Sequence, residues 1–347
     1  MNKLKVGLLG LGRVAEHHKK YLLKNKFLKV SACCDLDRSS LQKFSKFYKT
    51  KNNFLSINDF AKSKSFDIAI ISTPSGMHTL HSKVLINNKK HVLVEKPAAL
   101  KFGEHTHLCK LAKSKKVFYD VILQNRLNNA IVFLKDLLKN KKLGKILKVN
   151  VRVNWCRYQN YYQDKWHGKW KMDGGVICQQ AYHHIDILSY LFPDIKSVFA
   201  ERFNLQNKLQ AEDSFFVICN LNKNILLTFE ATTAIRPKDH EATVIVYGTK
   251  GFTEIGGIAM NEIKNLEIKK KIYNVKKYNE IFNTGYGNSH KKVFNIIGKK
   301  ILKKNLNSIN KHSEVEKTIS YIHNFYYASE LEKKINYKKK RKFKLLG

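Results

Sequence analysis

The segment "KLKVGLLGLGRVAEHHKKYLL", Lys3–Leu23, restricts the fold more than any other part of the chain. An apolar run ends in Gly10-x-Gly12-x-x-Ala15 and passes directly into a helical pattern. The first glycine permits a tight turn, the second lets backbone approach a pyrophosphate, and the small Ala15 lets helix and strand pack closely. The helix that follows then offers its first N–H groups and its positive dipole end to phosphate oxygens.

The flanking sequence strengthens this reading. A second strand-like run, "LKVSACC", ends just before Asp35, 23 residues after Gly12. An acid there can accept both ribose hydroxyls of an adenosine. Asp37 competes for the role but fits better as the cap of a helix beginning near Ser39. Asp35 would repel a 2′-phosphate, which favours NAD over NADP; Arg38 nearby keeps NADP open. Apolar strands at "FDIAIIST", "KHVLVEKP" and "VFYDVIL" alternate with helical stretches, the signature of a doubly wound parallel sheet. Ligands of such sheets lie beyond the carboxyl ends of the strands. Two polar loops fall there, Ser72–His78 and Glu95–Pro97. Lys96 follows an apolar strand directly, and Pro97 disposes it towards an extended backbone. In so lysine-rich a chain, plain solvation is the competing account of Lys96.

Composition limits the remaining classes. The 347 residues are enough for two domains. No apolar run approaches a membrane span, and the N-terminus lacks a signal-peptide cleavage pattern, so a cytoplasmic protein is expected. The six cysteines form no CxxC pair, and no Cys/His spacing suggests a metal; free buried thiols are the reading. The net charge of +38 raises nucleic-acid binding, but only eight of the 65 basic residues are arginine. Lysines scattered over solvated faces fit that composition better than dedicated phosphate recognition, which leans on arginine forks. No specific nucleic-acid or membrane partner is expected, although the field would help attract an anionic substrate or cofactor.

In the second half, "DGGVICQQAYHHIDILSYL", Asp173–Leu191, reads as a helix after two glycines. Gln179, His183, Asp186 and Tyr190 are spaced by four, three and four, so they share one face. Gly174-Gly175 would allow a close approach of chain to ligand. Taken alone, His183 is either a structural histidine partnered by Asp186 or an acid/base group. Strand-like runs follow at "SVFAERFNL", "DSFFVICNL", "NILLTFEATT", "ATVIVYGTKGFTEI" and "NLEIKKKIYNVKKY", with two closing helices, about 289–304 and 313–332.

The ordered set of G-x-G-x-x-A, Asp35, "STPSGMH", "VEKP", "QNR" and "DGG…QQAYHHID" resembles the Gfo/Idh/MocA family of nicotinamide-dependent oxidoreductases. The resemblance implies an α/β protein: a Rossmann domain, then an α/β domain with a large open, mostly antiparallel sheet that often packs against another subunit. The strand–helix pattern places the boundary near Gln124 to Arg126, giving 1–124 and 125–335, and the lysine run a basic solvated tail, 336–347; the resemblance adds a homodimer or homotetramer formed through the second sheet. It implies that Gly10, Gly12, Arg13, Val14, Asp35, Ser72, Thr73, Pro74, His78, Glu95, Lys96 and Gln124 bind NAD, or NADP. It also implies that His183 is the acid/base group at the oxidised carbinol and Lys96 the cation polarising its oxygen. A lysine close to that histidine would lower its pKa. Many members carry Asp four residues before the histidine; here Gln179 stands there, and Gln can orient but not titrate.

"NWCRYQNYYQDKWHGKWKMDGG" and "TGYGNSH" resemble stretches of UDP-N-acetylglucosaminuronate 3-dehydrogenases. On that resemblance Arg157, Tyr161, Tyr162, Gln180 and His290 would bind substrate; the aromatics could instead cover the sheet. His167 occupies a position where such enzymes commonly carry Arg, and Lys169 could supply the missing contact. The expected activity is oxidation of a sugar hydroxyl to a 3-keto product for surface polysaccharide. An inositol or simple-sugar dehydrogenase is the alternative enzyme. A cofactor-binding sensor on the same fold is the non-enzymatic alternative, disfavoured by the presence of both Lys96 and His183.

Overall fold

The computed structural model describes residues 2–269, 272–282 and 284–347. The chain forms two compact units. The first opens with β1 (Leu4–Leu9), α1 (Arg13–Leu23), β2 (Leu28–Cys34), α2 (Arg38–Tyr48), β3 (Asn52–Phe54), α3 (Ile57–Lys62) and β4 (Ile68–Ile71). It continues with α4 (His78–Asn87), β5 (His91–Val94), α5 (Glu104–Ser114) and β6 (Tyr119–Val121). The six strands lie in the order β3-β2-β1-β4-β5-β6, and every pairing is parallel. β4 and β5 bury nearly every side chain, as a sheet covered on both faces requires. The reversal between β1 and β4 is the switch point at which such sheets bind ligands.

The second unit contains α6 (Asn129–Lys139), β7 (Ile146–Asn154), α7 (Tyr182–Leu191), β8 (Ile195–Phe203), β9 (Ser214–Leu221) and β10 (Ile225–Thr232). It adds β11 (Glu241–Gly248), β12 (Gly251–Gly256) and β13 (Glu262–Ile268). After α8 (His290–Leu302) come α9 (His312–Leu331) and β14 (Ile335–Asn336). The sheet has the order β13-β12-β11-β7-β10-β9-β8-β14 and is antiparallel except between β7 and β10. β9 alternates buried and open positions. One face packs Phe215, Val217 and Cys219 inward; the other leaves Phe216, Ile218, Leu226 and Tyr247 exposed. The strand expected from Asn265 to Tyr278 ends at Ile268, and its Lys270 and Lys271 lie outside the described residues.

The units are not consecutive stretches of chain. Asn288–Glu316 clusters with the first unit, not with the 125–335 span expected for the second. The cause is the apolar stripe of α8, where Val293, Phe294, Ile297 and Ile301 are buried. Gly298 brings that helix against Phe27 and Leu28, and an added Cβ would stand 2.7 Å from Phe27.

The basic tail exposes its lysines but is anchored by apolar residues. Phe343 and Leu346 are buried. Phe343 stacks on Tyr326 at 5.1 Å and meets Trp170 edge-on at 5.5 Å. Its N–H donates to His323 Nδ1 at 2.9 Å, and the Gly347 N–H donates to the Trp170 carbonyl at 3.1 Å. The lysines around these anchors hid them in the sequence. Ending the chain after Lys340 removes two fully buried side chains, each worth about 1.5–3 kcal/mol. Urea denaturation should show a loss of about 3 kcal/mol or more; an unchanged midpoint would show that the anchors add nothing.

Candidate functional site

In the first unit, Gly10 adopts φ +84° and packs so closely that a Cβ would lie 2.7 Å from the Ser72–Thr73 backbone. Gly12 differs: a Cβ there would meet nothing within 4 Å. Gly12 also caps α1 without a side chain of its own. The turn therefore holds its shape against β4 while leaving open space before the first turn of the helix. Pyrophosphate fits such a cradle, bound by backbone N–H groups at the positive end of α1. Arg13 is exposed and Val14 half-buried beside it.

Asp35 follows β2 directly. Its Oδ2 accepts the Leu11 N–H at 2.6 Å, and its Oδ1 accepts the Asp37 N–H at 2.9 Å. The carboxylate thus joins the glycine turn to the end of β2 and stays half-exposed, where a ribose could meet it. Asp37 caps α2, accepting the Ser39 and Ser40 N–H groups at 3.2 and 3.0 Å. The Ser39 and Ser40 hydroxyl bonds first, then these amides, hold its carboxyl well below the usual carboxylate range.

The two loops beyond β4 and β5 are tied together. Ser72, Thr73 and Pro74 are half-buried, and the Thr73 hydroxyl lies 2.9 Å from His81 Nδ1. His78, expected to touch the cofactor, is buried. Its Nε2 lies 2.8 Å from the Thr73 carbonyl and its Nδ1 2.7 Å from the Pro97 carbonyl. It is a brace between the loops. Lys96 is half-buried, and its N–H donates to Glu95 Oε2 at 3.2 Å. Gln124 is buried beyond β6.

Glu95 has two further neighbours. His18 Nε2, from α1, lies 2.8 Å from Glu95 Oε1, and His290 Nε2, from α8, lies 3.5 Å from the same oxygen. All three side chains are buried. Burial alone would raise the Glu95 carboxyl, but hydrogen bonding from His18 and then His290 outweighs it and holds the group well below its usual value. An ionised carboxylate clamped from two helices fixes the residue next to Lys96. His290, expected to bind substrate, is placed in this interior cluster.

In the second unit the polar helix is shorter than its pattern suggests. α7 starts at Tyr182, so Gln179 lies in the preceding turns, outside the helix that carries His183, Asp186 and Tyr190. The Gln179 N–H donates to Gly175 O at 3.1 Å and the Ala181 N–H to Val176 O at 2.9 Å. His183 occupies the first turn, 9% exposed. Its neighbour His184 is fully buried, and desolvation lowers it to about 3, so it stays neutral. Gln180 is largely buried, and among the described residues its Nε2 has no hydrogen-bond partner.

Asp186 pairs with Arg126 of the "QNR" stretch. Arg126 Nε and Nη2 donate to its two oxygens at 2.8 and 2.7 Å, and the Thr318 hydroxyl donates at 3.0 Å. This buried bidentate pair locks α7 in rotation.

The glycine pair makes room for protein, not ligand. A Cβ on Gly175 would stand 2.1 Å from the Glu212 carboxyl, and one on Gly174, at φ +70°, would stand 2.8 Å from Cys178. The Tyr326 hydroxyl donates to Glu212 Oε1 at 2.9 Å, and the Gly175 N–H donates to the Tyr326 oxygen at 3.1 Å. Burial pushes Glu212 up to about 8, so it carries a proton at neutral pH.

The aromatic stretch is mostly half-buried, and Tyr158 is exposed. Tyr162 is buried, with its hydroxyl 2.7 Å from that of Thr233. Tyr161 meets it edge-on at 5.0 Å. Arg157 Nη1 donates to Asp239 at 2.7 Å, and its guanidinium lies over Trp155 at 5.3 Å and Tyr161 at 5.7 Å. A substrate anion would therefore compete with Asp239 for that fork. The His167 ring pairs with Asp164 and stacks on Trp166. These assignments need distant partners that the sequence does not announce.

Two family models match the chain: an oxidoreductase family domain with an NAD-binding Rossmann fold over residues 4–123, and a Gfo/Idh/MocA C-terminal domain over residues 131–254. The chain belongs to the Gfo/Idh/MocA oxidoreductase family. Among solved structures, the WlbA dehydrogenase from Chromobacterium violaceum, in complex with NADH and UDP-GlcNAcA, is similar with TM-score 0.88 and 27% identity. The match covers 97% of this chain and 96% of that one. WlbA from Bordetella pertussis, with the same two ligands, gives TM-score 0.89 at 24% identity over 96% and 98% of the two chains, a likeness of fold. The scyllo-inositol 2-dehydrogenase (NADP(+)) IolW of Bacillus subtilis is 27% identical over 167 residues, 48% of this chain and 46% of that protein. The chain spans about half the length of the first curated relatives it matches.

Glu212 supplies a pH test. With its carboxyl raised from 4.5 to about 8 in the fold, its contribution to stability is fully present below pH 4.5 and is lost as pH rises towards 8. Glu212→Gln should flatten the fall of melting temperature across that window. An unchanged slope would show that Glu212 does not set it.

Proposed function

We propose that this protein is an NAD-dependent dehydrogenase that oxidises a secondary hydroxyl of a nucleotide-linked sugar of the UDP-N-acetylhexosaminuronate class, at position 3 of the ring. The observation that carries this reading is the end-to-end likeness to the WlbA dehydrogenase holding NADH and UDP-GlcNAcA. It is supported by the presence here of Lys96, His183 and the glycine cradle.

Gly10, Gly12 and the first turn of α1 hold the pyrophosphate, and Asp35 the adenosine ribose. Ser72, Thr73, Pro74 and Glu95 line the loops that complete the cofactor site. Bound NAD supplies the acceptor for the hydride leaving the carbinol carbon. His183 takes the hydroxyl proton, since imidazole is the side chain whose ordinary pKa lies nearest neutrality. The Lys96 ammonium donates to the substrate oxygen and stabilises its developing negative charge. Gln179 orients and does not titrate. Gln180 offers its amide nitrogen to the substrate.

The open face of the second sheet supports a homo-oligomer, because Phe216, Ile218, Leu226 and Tyr247 form an apolar surface that a second copy would cover. Sedimentation should show a dimer or tetramer that Ile218→Asp weakens.

A panel of UDP-sugars, free sugars and inositols, read by nicotinamide absorbance, tests the substrate. Turnover confined to UDP-hexosaminuronates supports the proposal. Turnover of free inositol instead would favour the second reading, an inositol dehydrogenase, which the likeness to IolW motivates. His183→Ala should reduce turnover by ~10²-fold or more while NADH fluorescence titration is largely unchanged. Undiminished turnover would remove His183 from the chemistry.

A further inference from the structure

The first unit carries a second cluster of ligand-forming side chains, away from the glycine turn and the two polar loops. His105 and Cys109 stand four residues apart on α5 and so share one face of that helix. His312 opens α9, 203 residues after Cys109. Cys109 Sγ lies 3.5 Å from His105 Nε2 and 3.0 Å from His312 Nδ1. The three ligand atoms all lie within 4.8 Å of one another. A tetrahedral centre with Zn–S of about 2.3 Å and Zn–N of about 2.0–2.1 Å separates sulfur from nitrogen by roughly 3.6 Å. Both sulfur–nitrogen distances lie within about 0.6 Å of that separation.

Hydrogen bonds that involve none of the three hold them together. Asp120, on β6, accepts the N–H groups of Ile309 and Asn310 and the Asn310 side-chain amide, pinning the segment that leads into α9. Glu316, one turn beyond His312, accepts the Gly103 N–H at 2.6 Å, the Thr106 N–H at 3.2 Å and the Thr106 hydroxyl at 3.0 Å. The chain around His312 is thereby held on both sides, to β6 before it and to the start of α5 after it. The Tyr119 hydroxyl lies 3.4 Å from His105 Nδ1, an outer-shell partner that turns Nε2 towards the sulfur.

The electrostatics are compatible with a cation. Burial, followed by the charges of Asp120 and Glu316, pushes the Cys109 thiol up to about 12. The two acids that oppose a bare thiolate attract a metal ion, which displaces the thiol proton. His105 and Cys109 are buried and His312 is exposed, which gives an entry side and room for water as a fourth ligand. One sulfur and two imidazoles select zinc-like ions over magnesium or calcium.

We propose that His105, Cys109 and His312 form a binding site for a zinc-class divalent cation that ties the start of α9 to α5. Binding converts the thiol to a metal-bound thiolate and releases one proton to solvent. The test is a Co²⁺ titration of chelator-stripped, full-length protein followed by absorbance. A thiolate-to-cobalt charge-transfer band should saturate at one ion per chain and be bleached by Zn²⁺. The band should vanish in Cys109→Ser, whereas His312→Ala and Tyr119→Phe should each bind ~10-fold or more weakly. His18, Glu95 and His290 offer no sulfur, so metal binding there cannot produce this band. Absence of the band in the wild-type protein, its persistence in Cys109→Ser, or unchanged affinity in His312→Ala would overturn the proposal.

Discussion

The first unit depends on a turn at which backbone must stand where a side chain would. Gly10 meets the Ser72–Thr73 backbone at a distance no Cβ allows, while Gly12 faces open space. The same two positions therefore register β1 against β4 and leave room for a phosphate. Asp35 completes the arrangement by accepting the Leu11 amide, so the acid meant for a ribose also holds the turn. The two roles are divided: replacing Gly10 would disturb the architecture, whereas a side chain on Gly12 would fill the space left for the phosphate.

The second unit uses a different device. Its polar helix is set by groups that never need to meet substrate. Arg126 grips Asp186 from the side, and the protonated Glu212 sits in the space Gly175 leaves, held by Tyr326. A buried carboxyl that keeps its proton accepts the Tyr326 hydroxyl without the cost of a buried charge, and Tyr326 in turn joins α9 to the Gly175 amide. His183 inherits its position from this packing.

Much of this was legible in the sequence. Alternation of strand and helix, the glycine spacing and the strand-end acid rest on local rules, and these features stand where their patterns put them. So does the cap at Asp37. What stayed hidden depends on distant partners. His78 reads like any loop histidine until Pro97 is seen beside it, 19 residues away. His290 looks like a substrate group until Glu95 and His18 close around it. Gln179 fits the helical period, but the period does not show that the chain is still turning there. Cys109 and His312 have no mutual spacing that a motif could record.

The return of Asn288–Glu316 to the first unit bears on how the chain is made. A ribosome releases the six parallel strands long before α8 exists. Until then α1, β1 and β2 lack the helix that buries Phe27 and Leu28, and Glu95 lacks His290. The nucleotide-binding lobe therefore reaches its final form only after most of the other lobe has been synthesised. In the emerging polypeptide the partly dressed sheet must stay soluble with that apolar strip uncovered, a task for which a dense coat of lysines is well suited.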